Sequence, residues 1–162
     1  MKKFWIDSGD VELPKKARKK LQKAMKGFAQ TQVPLVVEFV FVDEEGIRAL
    51  NKAERNIDKV TDVLSFPAYE KLFEAPILKE DYLFDLDEKK RLLIGSVVVC
   101  TKRAREQAEE FGHSYERELH YLLVHGIMHC FGFDHEKEED KALMRQMEES
   151  VLAKLGITRE EE

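Results

Sequence analysis

No run of the chain is long and apolar enough to cross a membrane, and the opening Met1-Lys-Lys-Phe-Trp-Ile6 meets Asp7 and Asp10 at once, so no signal-peptide pattern develops. The expectation is a cytoplasmic protein with no membrane partner. Cysteine is scarce: Cys100 and Cys130 lie in apolar surroundings without C-x-x-C spacing, which leaves reduced, buried thiols rather than a disulfide framework. Internal repeats, a linker and a second compositional block are missing too. At 162 residues and 43% hydrophobic, the chain is expected to form a single domain, residues 1–162, with its own core.

Anions are missing from one segment of a chain whose net charge is −5. From Lys15 to Lys26 there are seven cations (Lys15, Lys16, Arg18, Lys19, Lys20, Lys23, Lys26), while Leu13, Ala17, Leu21, Ala24, Met25 and Phe28 recur at helical spacing. Pro14 suits the first turn of that helix. Its basic back is either an ordinary solvated face or a surface that tracks phosphates.

Four strands and five helices are expected. The strands are Lys2 to Ile6, the β-branched and aromatic Leu35 to Val42, Val60 to Phe66 stopped by Pro67, and Leu92 to Cys100. The segment 68–91 is charged and mixed, an irregular excursion with room for a hairpin. After the basic helix, a second runs from the cap Asp43 to about Arg55, with Glu44 and Glu45 at its positive end. Lys102 to Phe111 is a third, broken by Gly112. Ser114 caps a fourth, Tyr115 to Phe131, which is apolar nearly all round and therefore central and buried. Glu136 to Leu155 is amphipathic through Leu143, Met144, Met147, Val151 and Leu155, and an acidic tail follows.

The densest chemistry lies in His125-Gly-Ile-Met-His129-Cys-Phe-Gly132-Phe-Asp-His135, which holds three of the five histidines. His125 and His129, four apart on a helix, project from one face about 6 Å apart. A third ligand from the next turn would crowd them, so the chain has to stop and fold back. Gly132, just past the helix end, permits the left-handed reversal that brings His135 to the open side. Three imidazoles with an open fourth position fit a catalytic zinc, whose bound water is activated near neutral pH for attack on a phosphoryl or acyl centre. Cys130 points to another helix face and is not a ligand, and His113 and His120 are bystanders. The same spacing serves the metzincin proteases, but those enzymes carry a glutamate base directly after the first histidine, where this chain has Gly126. A peptidase therefore ranks below another hydrolase.

Three blocks resemble the YbeY family of bacterial endoribonucleases: Leu50-Asn51 through Arg55 to Thr61-Asp-Val-Leu-Ser-Phe-Pro67, Leu93 to Cys100, and Val124 to His135. The resemblance covers roughly residues 35 to 155. It implies an α+β fold with a small mixed four-stranded sheet packed with about five helices, and a Zn2+ ion on His125, His129 and His135. It also implies cleavage of single-stranded rRNA in 16S rRNA 3′-end maturation and ribosome quality control. The small ribosomal subunit, with ribosome-associated proteins such as the GTPase Era, is the partner set it implies. Four positions depart from the family pattern: Ser96 stands where an aspartate is usual, Val60 for a proline, Glu54 for a tyrosine, and Phe133 where tyrosine is frequent.

Arg55 is the catalytic candidate besides the ligands. A guanidinium forks onto two phosphate oxygens and stays charged, although an arginine at a helix end also serves the helix dipole. Asp134 either supports a ligand or caps its loop. Two other classes remain open, a metallopeptidase or amidohydrolase and a non-catalytic, zinc-braced ribosome-assembly factor. If the basic helix tracks phosphates, reversing Lys16, Lys20 and Lys23 to glutamate weakens RNA binding and flattens its salt dependence, read by titration at several salt concentrations. Unchanged affinity would make that helix an ordinary solvated face.

Overall fold

The structure, a computed structural model, describes residues 2–157. Its strands are Phe4–Asp7 (β1), Leu35–Val42 (β2), Val63–Pro67 (β3) and Leu92–Cys100 (β4), and its helices are Lys15–Met25 (α1), Glu44–Arg55 (α2), Thr101–Phe111 (α3), Tyr115–Cys130 (α4) and Glu138–Lys154 (α5). The fold is α+β, with one mixed sheet in the order β1-β2-β4-β3. β1, β2 and β4 are parallel, and β3 closes the far edge antiparallel to β4. A parallel pair needs a crossover, and α1 supplies the one between β1 and β2. No helix among the described residues is long and apolar enough to cross a membrane.

Two apolar layers hold the sheet. On one face α4 packs against β3 and β4, and eleven of its residues are buried, among them Leu119, Leu123, Val124, Ile127 and Met128. A helix that is apolar nearly all round has to be enclosed in this way. Ser114 starts it by accepting a hydrogen bond from the Arg117 amide at 3.1 Å, and Glu116 and Glu118 sit in its first turn. On the other face α2 buries Ile47 with Leu64, Val98 and Cys100. β4 serves both layers by changing phase: Leu92 and Ile94 face the α4 side, then Val97 and Val99 do. The switch occurs where the register with β2 skips Ile94, a bulge that keeps the whole strand apolar toward α4.

Several element ends differ from the sequence expectation for local reasons. β3 starts at Val63 rather than Val60 because Asp62 Oδ1 accepts the Val63 amide at 2.8 Å, closing a turn just ahead of the strand. Pro67 ends β3 from inside it, as an edge strand allows. α5 begins at Glu138 because Asp134 Oδ1 takes the Glu136 amide at 2.8 Å and holds the chain out of helix. Residues 68–91 contain two 3-10 turns, Leu72–Glu74 and Lys79–Asp81, and the anticipated hairpin shrinks to one antiparallel bridge between Leu86 and Leu92. The acidic tail lies outside the described residues.

One contact sets how closely α4 approaches the sheet. A Cβ on Gly126 would stand 2.4 Å from Val97 Cγ1 and 2.8 Å from Cγ2. Helix and strand therefore meet with backbone on side chain, and no larger residue fits without displacing β4. Gly126→Ala gains about 1 kcal/mol of helix propensity but overpacks at a cost of about 1–3 kcal/mol. Thermal or urea unfolding should show Gly126→Ala destabilising the wild type and neutral or stabilising in a Val97→Ala background. An equal effect in both backgrounds would show that the two residues do not meet as described.

Candidate metal centre

The end of α4 is built as a reversal. The Gly132 amide donates to His129 O at 2.9 Å and the Phe133 amide to Met128 O at 3.1 Å, the paired bonds of a Schellman motif. Gly132 has φ +99°, and a Cβ there would lie 2.6 Å from Lys71 Cα. Both its conformation and its neighbour require glycine. The first 3-10 turn braces the reversal from outside: the Phe73 amide donates to Phe131 O at 2.9 Å, and the Phe73 ring stacks on Phe133 at 4.2 Å.

That reversal brings the three histidines together. The ligand-capable atoms of His125, His129 and His135 all lie within 4.8 Å of one another, and the ring centroids are 4.7, 5.6 and 5.0 Å apart. His125 and His129 are half-buried and His135 is exposed, so the cluster has one wet side. His125 Nδ1 contacts Glu148 Oε2 at 2.7 Å. A neutral ring that donates from Nδ1 to a carboxylate carries its lone pair on Nε2. That Nε2 faces His129 Nε2 at 3.2 Å. His129 also hydrogen-bonds the Phe133 main chain, and burial, followed by the charges of His125 and His135, lowers its pKa to about 4. It is therefore neutral at pH 7. Ring nitrogens of three histidines gathered this closely, with a neutral imidazole among them, are a donor set that fits a metal held by three imidazoles.

The wet side opens into a cleft of about 530 Å³ between the cluster and α5, where Lys141, Arg145 and Glu148 line it beside His125 and His135. A larger concavity of about 740 Å³, lined by Glu38, Val40 and Asp43 among others, contains no histidine. The donor geometry, and not volume, identifies the candidate site.

Arg55, the last residue of α2, is held by the edge strand β3. Its Nη2 donates to Ser65 O at 2.9 Å, and its guanidinium lies 5.9 Å from the Phe66 ring centroid. Ser65 pairs with Val97, the residue under Gly126, so Arg55 is anchored to the strand that backs α4. Its hydrogen bond goes to that strand and not to the cluster. Asp134 caps its loop, as one of its two readings anticipated. Ser96 donates to Glu38 Oε1 at 3.0 Å. Cys130 is fully buried, and burial raises its thiol to about 12. His113 faces Glu118 at 2.8 Å and His120 faces Glu116 O at 2.7 Å, both outside the cluster.

Sequence reasoning missed Glu148 and the Lys71–Phe73 brace. Glu148 left a signal, since it sits inside the apolar stripe of α5, four residues after Met144 and three before Val151, and is 7% exposed. A carboxylate at such a position needs a partner. Lys71 left none, because a backbone contact has no side-chain signature.

Comparison with known proteins agrees with this picture. The family described as Endoribonuclease YbeY matches residues 5–156. A relative from Caldicellulosiruptor saccharolyticus, named Endoribonuclease YbeY, is 48% identical over 123 residues, 76% of this chain and 75% of that protein. One of the same name from Clostridium botulinum (strain Loch Maree) is 39% identical over 158 residues, 93% of this chain and 92% of that one. Among solved structures, the solution structure of TM1509 from Thermotoga maritima matches with a TM-score of 0.55 and 25% identity, over 96% of this chain and 92% of the other. The chain belongs to the YbeY endoribonuclease family.

Proposed function

We propose that the chain is a zinc-dependent, single-strand-specific endoribonuclease of the cytoplasm, acting as one domain in 16S rRNA 3′-end maturation and ribosome quality control. Single-stranded rRNA is its substrate, and the small ribosomal subunit, with ribosome-associated proteins such as the GTPase Era, is its partner set. The observation that carries this reading is the convergence of three imidazoles, with one wet side, at the end of α4 in a chain of this family.

When bound there, zinc supplies Lewis-acid activation of a water or of a phosphate oxygen. His125, His129 and His135 hold it, and Glu148 fixes the tautomer and ring orientation of His125. Arg55 orients the scissile phosphate and stabilises charge that grows on it. Lys141 and Arg145 line the cleft together with Glu138, Glu148 and Glu149, and with Arg145 paired to Glu149 at 3.9 Å, Lys141 is the cation there that is in no ion pair among the described residues and can meet a neighbouring phosphate. A peptidase reading is disfavoured by Gly126, since Val97 leaves no room there for the glutamate base of the metzincins. A zinc-braced assembly factor without chemistry is the other reading.

The test combines metal content with cleavage of single-stranded RNA. His129→Ala should lose both. Arg55→Ala should keep the metal and lose cleavage by roughly 10²–10³-fold, the scale of removing one transition-state donor. Cutting of an unstructured protein with RNA untouched would favour the peptidase reading, and assembly activity surviving in a folded His129→Ala protein would favour the bracing one. Glu148→Gln should weaken metal binding by roughly 10–100-fold, measured by chelator competition. Unchanged affinity would remove Glu148 from the site.

A further inference from the structure

The metal cleft makes no use of Trp5, the only tryptophan in the chain. Trp5 lies on β1, an edge strand of the sheet. Its neighbours Phe4 and Ile6 are buried in the core, so the alternation of the strand turns the half-buried indole to the opposite face. There it forms, with Pro34, Lys2, Lys3, Lys89 and Arg91, a hollow of about 400 Å³ that no carboxylate lines.

The cations of this hollow have two different states. Arg91 is almost fully buried and locked, with Nε donating to Asp87 Oδ2 at 2.8 Å and its terminal nitrogens to Asp7 at 3.4 and 3.3 Å. Two carboxylates absorb its charge, and it serves as a rigid wall. Lys2, Lys3 and Lys89 are exposed, and among the described residues none of them is in an ion pair. Lys3 Nζ stands 5.3 Å from the indole centroid. An aromatic face covered by the Lys3 ammonium, with Lys2 and Lys89 beside it in no ion pair among the described residues, suits a ligand that is flat, aromatic and anionic at once, its base replacing Lys3 over the ring and its phosphate drawing Lys3 aside. A nucleotide has all three properties.

The position of the hollow fits a strand that also visits the histidines. Lys2 and Lys3, Pro34, and Lys89 and Arg91 precede three parallel strands in register at Phe4, Leu35 and Leu92. The hollow therefore opens at the N-terminal end of those strands. Phe131, two residues beyond His129, lies at that same end on the core face of the sheet, its ring centroid 6.3 Å from that of Phe4, so a single strand reaches both sites by passing round that end of the sheet. We propose that the hollow is a second RNA-contact site, which stacks one base of a single strand on Trp5 and pairs its phosphate with Lys2, Lys3 and Lys89. The proposal rests on the reading of the chain as a single-strand endoribonuclease.

A single tryptophan makes the test direct, because intrinsic emission reports this hollow alone. The probe is a 2′-O-methyl adenylate decamer, which resists cleavage by attack of its own 2′-oxygen, with a fluorescein-labelled copy for anisotropy. Tryptophan emission should be quenched over the same concentration range in which anisotropy rises. Trp5→Ala should weaken binding by roughly ten-fold or more, the scale of one lost stacking contact, with Trp5→Phe recovering most of it. Replacing Lys2, Lys3 and Lys89 with glutamine should flatten the salt dependence. Rising anisotropy with unmoved emission, and wild-type affinity in Trp5→Ala, overturn the proposal while leaving the endoribonuclease reading intact. No anisotropy change at any protein concentration overturns both.

Discussion

Two imidazole nitrogens of this protein face each other at 3.2 Å, and a third ring closes on them. Rings this close disfavour one another's protonated forms, so the surrounding fold has to hold them together. His125 and His129 are imposed by α4, whose buried apolar side chains each contribute about 1.5–3 kcal/mol. No repulsion between two rings unwinds a helix anchored in that way. The tautomer of His125 is imposed by Glu148 from a different helix. His135 depends on the chain reversing within two residues of the helix end, which Gly132 and its two backbone bonds accomplish.

The reversal is itself held by an aromatic layer. Phe131 and Phe133 flank Gly132; Phe28, just beyond α1, lies 5.2 Å from the first and 6.3 Å from the second, and Phe73 stacks on Phe133. Segments from three distant parts of the chain thus converge on a loop of a few residues. This gives residues 68–91 a physical role despite their lack of regular structure. Their first turn presents backbone to Gly132 and a ring to Phe133, and both contacts need an irregular path, since Lys71 itself has φ +45°.

How far the sequence could be read follows from the range of each interaction. The histidine spacing, Gly132, the capping residues Asp43 and Ser114, and the apolar runs of β2, β4 and α4 are local patterns, and all emerged from composition and period. The phase change in β4 is less accessible: Leu92, Ile94, Val97 and Val99 share a face only because a bulge against β2 shifts the count by one. Glu148 was legible as a charge inside an apolar stripe but not as the partner of His125, because 23 residues separate them. Arg55 was legible as a type of residue, and its anchoring on β3 through Ser65 O was not, because a carbonyl acceptor is the same in every residue.

Gly126 shows how a helix can share its ligand spacing with a protease and not share the reaction. Two histidines four apart fix where the metal lies relative to the helix, and the residue after the first histidine lies about 100° further around it. In a helix that turns that side toward solvent or substrate, a carboxylate there becomes a base. Here that side is pressed onto Val97, 2.4 Å from where a Cβ would be, so even an alanine is crowded and a glutamate is shut out. The sheet beneath the helix therefore excludes a carboxylate at the position where the metzincins carry their base. Carboxylates remain on the open side of the cluster instead, where Glu138, Glu148 and Glu149 of α5 line the cleft among Lys141 and Arg145.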